Sequence, residues 1–160
     1  MKNLVIFYSL EGNTKFIAES ISRKINADIL ELKPNKKYHN SGFKKYFWGG
    51  KSVIFKEKPE ISSYDININN YDNVFIGTPI WVGTYAPPYN TFFDIEKINN
   101  KNIYLFACHG GGSAEKFYEN VKQAIPNNNF KGQIDFNEPL KNNQEEVLNQ
   151  IDTWLNNLFQ

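Results

Sequence analysis

Short apolar runs alternate along this chain with segments in which apolar residues recur at helical spacing. The first run, at residues 4–8, is continuously apolar, which is typical of a strand buried on both faces of a parallel sheet. Four further strands are predicted at 28–32, 72–77, 102–108 and 133–136. The chain therefore contains enough strands for one five-stranded sheet.

Segments of helical period separate most of these strands. Phe16, Ile17, Ile21 and Ile25 recur at helical spacing and predict a helix at about 14–25. Further helices are predicted at 88–95, with prolines in its first turn, at 117–125, ended by a proline, and at 147–158. Each predicted helix lies next to at least one predicted strand along the chain.

The alternation of strands and helices determines the fold class that we expect. Parallel strands joined by helical crossovers form a sheet with helices on both faces. We expect an α/β fold, a three-layer, doubly wound, five-stranded parallel sheet in the order 2-1-3-4-5, forming one domain over residues 1–160. Ligands of such sheets bind beside strands one and three.

The segment 33–70 has no clear period. It contains Pro34 and Pro59 and an aromatic group, which is predicted to lie on a helix or long loop near the site: Phe43, Tyr46, Phe47 and Trp48. Trp48 is a candidate to cover one face of a bound ring. The alternative is an amphipathic helix that packs this segment on the sheet.

Composition excludes several classes of function. The net charge of +1 among 160 residues provides no field for nucleic acid or anionic membrane. The chain has one cysteine, Cys108, so no intrachain disulfide forms, and this favours a reducing compartment. The apolar run at 4–7 is too short for a secretory signal, and no run reaches transmembrane length. We expect a soluble, cytoplasmic protein.

The loop after the first strand has the residues of an anion site. Such a strand-to-helix turn directs backbone N–H groups and the positive end of a helix dipole at an anion. Ser9, Asn13 and Thr14 add side-chain donors, and Gly12 permits a tight turn. Because no lysine or arginine lies between Ser9 and Thr14, neutral dipoles would hold a phosphate. The alternative is that Asn13 or Thr14 only caps the helix.

Residues 5–14, continued by Ala18 and Ile21, resemble the amino-terminal signature of flavodoxins. The resemblance implies an FMN cofactor whose phosphate is bound by the first loop, which comprises Ser9, Leu10, Glu11, Gly12, Asn13 and Thr14. FMN is expected rather than FAD, because this loop encloses one phosphate and no adenine site is evident.

A second loop follows the third strand and has the Gly-x-Pro-x-Trp stretch that flavodoxins place along the isoalloxazine. The resemblance implies that Trp81 stacks on the ring. Gly83 is a further candidate, which would present a backbone carbonyl to the flavin N5 region when that nitrogen gains a proton. The cofactor-binding residues predicted in this loop are Thr78, Pro79, Ile80, Trp81, Val82 and Gly83.

A third loop follows the fourth strand. Its three glycines leave a bare backbone for a flat ring, and the resemblance implies that it holds the pyrimidine edge of the flavin. The residues predicted to bind there are His109, Gly110, Gly111 and Gly112. The alternatives are a flexible connection and a His109 that caps the next helix. Cys108 is expected to be a small core residue.

The sequence does not support assignment to other classes of doubly wound protein. The third strand does not end in the aspartate of a receiver domain, and neither G-x-x-x-x-G-K-[ST] nor G-x-G-x-x-G occurs. A Cys-x5-Arg phosphatase loop after strand one, a G-x-S-x-G elbow and metal-ligand spacing are also missing.

Three functions stay open. The first is an FMN-binding, flavodoxin-like electron-transfer protein that serves redox partner proteins as a monomer or homodimer. The second is a small FMN-dependent NAD(P)H or quinone reductase, and the third is a scaffold without cofactor. The carrier is favoured because no nicotinamide-phosphate clamp is evident. The near-neutral charge departs from the acidic surface of many flavodoxins, so the usual docking partners are in doubt.

Overall fold

Five parallel strands form a single sheet in the order β2-β1-β3-β4-β5 in a computed structural model of the protein, which describes residues 1–38, 50–54 and 56–159. The strands are β1 (Asn3–Phe7), β2 (Asp28–Glu31), β3 (Asn73–Pro79), β4 (Asn102–His109) and β5 (Asn129–Asn137). The predicted fold class and strand order are confirmed. Because β1 and β3 are neighbours with crossovers leaving in opposite directions, the switch point lies between their carboxyl ends.

Helices cover both faces of the sheet and create two cores. They are α1 (Asn13–Ile25), α2 (Pro88–Ile95), α3 (Glu115–Ala124) and α4 (Gln144–Leu158), and residues 50–54 are also helical. Successive strand residues point to opposite faces. Val5 and Phe7 therefore pack against α1 and α4, whereas Leu4 and Ile6 lie in the core that α2 and α3 cover. None of the helices in the described part of the chain is long and apolar enough to span a membrane.

The strand β5 begins four residues earlier than predicted. It is an edge strand in which exposed and half-buried residues alternate, so it lacks the continuous apolar run that marks β1 and β3. Gly132 interrupts the pattern further, and a Cβ there would lie 2.6 Å from the end of the Leu158 side chain on α4. The helix α4 likewise begins before its first apolar residue, where the Asn143 side chain accepts a hydrogen bond from the Glu145 N–H.

Both ends of the segment 33–70 are tied to the fold. Backbone hydrogen bonds join Asn35 to Glu60 and Ser62 to Lys33, and Pro34 and Ile61 form an antiparallel bridge. The predicted aromatic group at 43–48, Trp48 included, lies outside the described residues. The end of this segment that follows β2 brings Tyr38 to the carboxyl edge of the sheet, beside Tyr8.

The amino edge of the sheet has a row of asparagines in register. Asn3 pairs with Asn73, Asn73 with Asn102, and Asn102 with Asn129. The Asn73 amide donates to Asn3 Oδ1 at 2.8 Å, and the Asn102 amide donates to Asn73 Oδ1 at 3.0 Å. These side chains connect three neighbouring strands at the edge opposite the loops that follow β1, β3 and β4.

Candidate functional site

A cavity of about 310 Å³ opens at the carboxyl edge of the sheet. All three predicted loops contribute to its wall, together with the loop after β5 and the helical residue Gly50. The lining residues in the described part of the chain are Ser9, Leu10, Glu11, Asn13, Thr14, Gly50, Pro79, Ile80, Trp81, Val82, Cys108, His109, Gly110, Gly111 and Glu138. Four residues of the predicted set lie in these loops without lining the cavity: Gly12, Thr78, Gly83 and Gly112.

The β1 loop brings the amino end of α1 to the cavity. Gly12 is the N-cap, with φ of +94°, a conformation that favours glycine, and the Phe16 N–H donates to its carbonyl. The Gly12 N–H donates to Ser9 Oγ at 3.1 Å. The N–H groups of the first helical turn have no acceptor within the helix, and no side chain caps them. The alternative that Asn13 or Thr14 serves as the cap is therefore not what the structure has.

Asn13 has a defined amide orientation. The Leu140 N–H donates to its Oδ1 at 3.1 Å. Since a backbone N–H can only donate, this side-chain atom is the oxygen, and the NH₂ group is left as a donor. Asn13 lines the cavity, so the loop after β5 fixes a neutral donor beside the first turn of α1.

Thr14 is buried and forms a side-chain hydrogen bond with Cys108. Burial raises the pKa of the Cys108 thiol to about 12, and the Asp135 carboxylate raises it too, whereas the hydrogen bond with Thr14 lowers it. At neutral pH the cysteine is therefore an uncharged thiol. Cys108 was predicted to be a small core residue; it is buried, and it also lines the cavity.

The β3 loop is held by a tight turn. The Trp81 N–H donates to the Thr84 carbonyl at 2.9 Å, and the Thr84 N–H donates to the Trp81 carbonyl at 3.1 Å. Val82 and Gly83 between them have φ of +49° and +80°, as in a type I′ turn. Thr78 accepts from the Ala86 N–H at 3.1 Å and so closes the base of the loop. The Thr78 hydroxyl thereby helps to hold Trp81 and the neighbouring residues of the loop at the cavity.

Trp81 lies against two tyrosine rings. The centroid of the Trp81 ring lies 5.8 Å from that of Tyr8 and 5.2 Å from that of Tyr38, and both contacts are edge-to-face. Burial raises the pKa of Tyr38 to about 12, and burial followed by the neighbouring Tyr38 raises the pKa of Tyr8 further above the ordinary range. Both tyrosines are therefore uncharged at neutral pH, and they pack against Trp81, which lines the cavity.

The β4 loop is organised by His109. Its Nε2 lies 2.8 Å from Asp135 Oδ2, and its Nδ1 lies 3.3 Å from the Gly111 nitrogen. The next helix begins at Glu115, whose N–H donates to Ser113 Oγ, so His109 caps no helix. Gly111 and its successor have positive φ, with open space where a Cβ would stand. The glycines thus serve the turn and leave its backbone accessible.

The loop after β5 was not predicted to belong to the site. The Glu138 N–H donates to the His109 carbonyl, and the Leu140 side chain lies where it would be in van der Waals contact with a Cβ at Gly12, at 3.4 Å. The Glu138 carboxylate pairs with Lys141 at 2.5 Å. This loop therefore joins the β1 and β4 loops through contacts between residues far apart in the sequence, which no local motif indicates.

A buried tyrosine anchors the sheet directly beneath the cavity. The Tyr89 hydroxyl lies 2.7 Å from the Gly77 carbonyl of β3 and 3.2 Å from the Ile6 carbonyl of β1. It comes from the first turn of α2, immediately after two prolines. Tyr89 connects the two strands at the switch point, and its position after Pro88 was the only local signal for it.

These features define what the cavity can accept. At the β1 loop the cavity has backbone N–H groups, an amide and a hydroxyl, and none of the described lining residues is a lysine or arginine. The Trp81 side chain and the backbone of Gly110 and Gly111 also line the cavity. The donor set fits a monophosphate joined to a flat, polar-edged ring.

Comparisons with known proteins agree on one family. A sequence model described as Flavodoxin matches residues 2–158. A flavodoxin-like domain-containing protein, BilS, of Clostridioides difficile (strain CD3) is 31% identical over 133 residues, which cover 81% of this chain and 61% of that protein. The chain thus spans about three fifths of the length of this curated relative.

Solved structures share the fold over nearly the full chain. The crystal structure of a Lactobacillus acidophilus NCFM flavoprotein in complex with FMN has a TM-score of 0.73 and 25% identity, and it covers 96% of this chain and 97% of its own. The NMR structure of the apo-form of the flavoprotein from Lactobacillus acidophilus NCFM has a TM-score of 0.67 and 25% identity, over 88% and 95%.

Proposed function

This chain belongs to the flavodoxin family, and from that premise we propose that it binds FMN in the cavity at the carboxyl edge and carries electrons between redox proteins. FMN supplies a ring that takes up and releases electrons reversibly. Everything else in the proposal concerns how residues of this chain hold and shield that ring.

The glycine-capped amino end of α1 is the observation that carries the proposal. Its first N–H groups, the Asn13 amide and the Thr14 hydroxyl converge on one end of the cavity without a competing side-chain cap. Such neutral donors suit a monophosphate ester. The Lactobacillus acidophilus relative, which has the same fold at 25% identity, was solved with FMN.

The ring would lie between the β3 and β4 loops. In this proposal Trp81 covers one face, and the backbone around Gly110 and Gly111 reads the polar edge. The residues that line no part of the cavity act through the loops: Gly12 and Gly83 by their positive φ, Thr78 through Ala86, and Gly112 through the turn after His109.

The lining of the cavity favours a carrier over a reductase. Among its described lining residues there is no lysine or arginine that could bind the phosphate of a nicotinamide nucleotide. Electrons would then arrive from a partner protein at the exposed rim.

Flavin binding is tested by adding FMN, riboflavin or FAD to the purified protein and measuring the quenching of flavin fluorescence. FMN should bind more tightly than riboflavin, by about 100-fold or more, because riboflavin lacks the phosphate that these donors would bind. The released chromophore should have the mass of FMN. Recovery of FAD, or no binding of FMN, would contradict the proposal.

The carrier is distinguished from the reductase by adding NADH or NADPH to the FMN-loaded protein. Visible flavin absorption should persist with either nucleotide alone and bleach when dithionite is added. Rapid bleaching by a nicotinamide nucleotide would establish the reductase instead.

A further inference from the structure

Four residues from different elements form one hydrogen-bonded chain that ends in the β4 loop. Tyr118 on α3 donates its hydroxyl to Asp135 Oδ1 at 3.2 Å. Asp135 on β5 accepts at Oδ2 from His109 Nε2 at 2.8 Å, and the Gly111 N–H approaches His109 Nδ1 at 3.3 Å. The predicted cofactor residues include His109 and Gly111 but neither Asp135 nor Tyr118.

The partners determine which ring nitrogen of His109 carries a proton. The Gly111 N–H can only donate, so Nδ1 presents its lone pair. The Asp135 carboxylate can only accept, so Nε2 carries the proton. The imidazole is thereby fixed as the Nε2–H tautomer, with Nδ1 available to hold the loop.

Open space surrounds two glycines of the loop held in this way. A Cβ built at Gly111 or Gly112 would meet nothing within 4 Å, and both residues have positive φ. The His109 side chain, by contrast, is only 9% exposed and lies at the end of a central strand. The imidazole is therefore a fixed support for a flexible sequence.

We propose that Asp135 is a positioning residue that holds the His109 ring so that Nδ1 anchors the Gly111 N–H and sets the backbone against which the flavin ring lies. The role in flavin binding rests on the proposed function; the anchoring of Gly111 does not. Asp135 touches no part of the cofactor in this scheme and acts only through His109.

A general stabilising role is a weak explanation for the same contacts. The Asp135 side chain is 44% exposed, and pairs at such positions contribute little to the free energy of folding. The proposed effect is local, and a local measurement can detect it.

The test compares Asp135→Asn, which keeps an acceptor oxygen, with Asp135→Leu, which has none. Amide hydrogen exchange is measured by NMR on the flavin-free proteins at pH 8, where an ordinary imidazole is neutral. Exchange at Gly111 should be about three- to tenfold faster in Asp135→Leu and unchanged in Asp135→Asn. Asp94→Leu, which removes another paired surface carboxylate, is the matched control and should leave Gly111 unchanged.

Riboflavin affinity gives a second readout that the phosphate does not influence. It should fall about three- to tenfold in Asp135→Leu and be retained in Asp135→Asn. The proposal is overturned if exchange at Gly111 is the same in Asp135→Leu as in the wild type. It is also overturned if exchange rises equally throughout the sheet, or if Asp135→Asn behaves like Asp135→Leu. The exchange result decides the inference even if the wild-type protein binds no flavin.

Discussion

The Asn13 side chain has one amide orientation that satisfies its neighbours, and this orientation matters for an anion. Its Oδ1 is occupied by the Leu140 N–H, so only the NH₂ group is available to the cavity. Backbone N–H groups, the Asn13 NH₂ group and the Thr14 hydroxyl then lie together within the first turn of α1. A negative charge at this position would oppose a phosphate while keeping the contact with Leu140.

Asn13→Asp tests this arrangement. The carboxylate still accepts from Leu140, but it replaces the NH₂ donor with a charged oxygen, so FMN affinity should fall about 100-fold or more. Riboflavin affinity should stay within about threefold, because riboflavin has no phosphate. Fluorescence titration measures both, and Asn157→Asp on the exposed face of α4 controls for net charge. Equal losses for the two ligands would show that Asn13 supports the loop rather than the phosphate.

Trp81 provides a second test at the scale of one residue. An indole stacked on a flavin quenches its emission by electron transfer, so Trp81→Ala should raise the fluorescence of bound FMN several-fold. Trp154, which packs on Phe75 on the far side of the sheet, is the matched control, and Trp154→Phe should leave the emission unchanged. Unchanged emission in Trp81→Ala with FMN still bound would place the ring elsewhere.

At the scale of the elements, the turn at Val82 and Gly83 is strained. Val82 has φ of +49°, although a β-branched residue disfavours the left-handed region. Its side chain is 55% exposed, so packing recovers little of this cost. Strain of this kind is often retained beside functional sites.

Val82→Asn should therefore stabilise the flavin-free protein. Asparagine tolerates this conformation, and the expected gain is about 1 kcal/mol in the free energy of unfolding, or about 2–4 °C in Tm for a chain of this size. Thermal unfolding measures the change. Val82→Ile keeps the branched side chain and should give no gain; a gain in both variants would mean that the turn is unstrained.

The sequence predicted those elements whose signal is local. Continuous apolar runs located β1, β3 and β4, and residues between Ser9 and Thr14 identified the first loop. The start of β5 and the contribution of Glu138 and Leu140 could not be predicted, because they depend on contacts with distant parts of the chain. The need for glycine at position 77 could not be predicted either. A Cβ at Gly77 would lie 2.0 Å from the Phe106 ring, and nothing in the local sequence indicates that neighbour.

For the whole molecule, the two edges of the sheet have different tasks. The asparagines at the amino edge connect β1, β3 and β4 through their side chains, whereas the carboxyl edge holds the cavity. The seven residues of β3 separate these edges by about 20 Å. Changes at one edge should therefore have little effect on the other.

Asn73→Ala tests this separation. Asn73 is 2% exposed, and its removal leaves the Asn3 oxygen and the Asn102 amide without their partner at the centre of the row. The free energy of unfolding should fall by about 1–3 kcal/mol, measured by urea denaturation. FMN affinity should stay within about twofold. The exposed Asn157→Ala is the control; a large loss of affinity in Asn73→Ala would show that the edges are coupled.

The burial of Cys108 determines how fast its thiol can be labelled. It is the one thiol in the sequence, it is 3% exposed, and it remains protonated well above neutral pH. Because so little of its surface reaches the solvent, a thiol reagent reacts with it mainly when the loops around it open locally. The rate of labelling therefore reports how often these loops open, at a single known atom. A ligand that fills the cavity slows the reaction in proportion to the openings that it prevents.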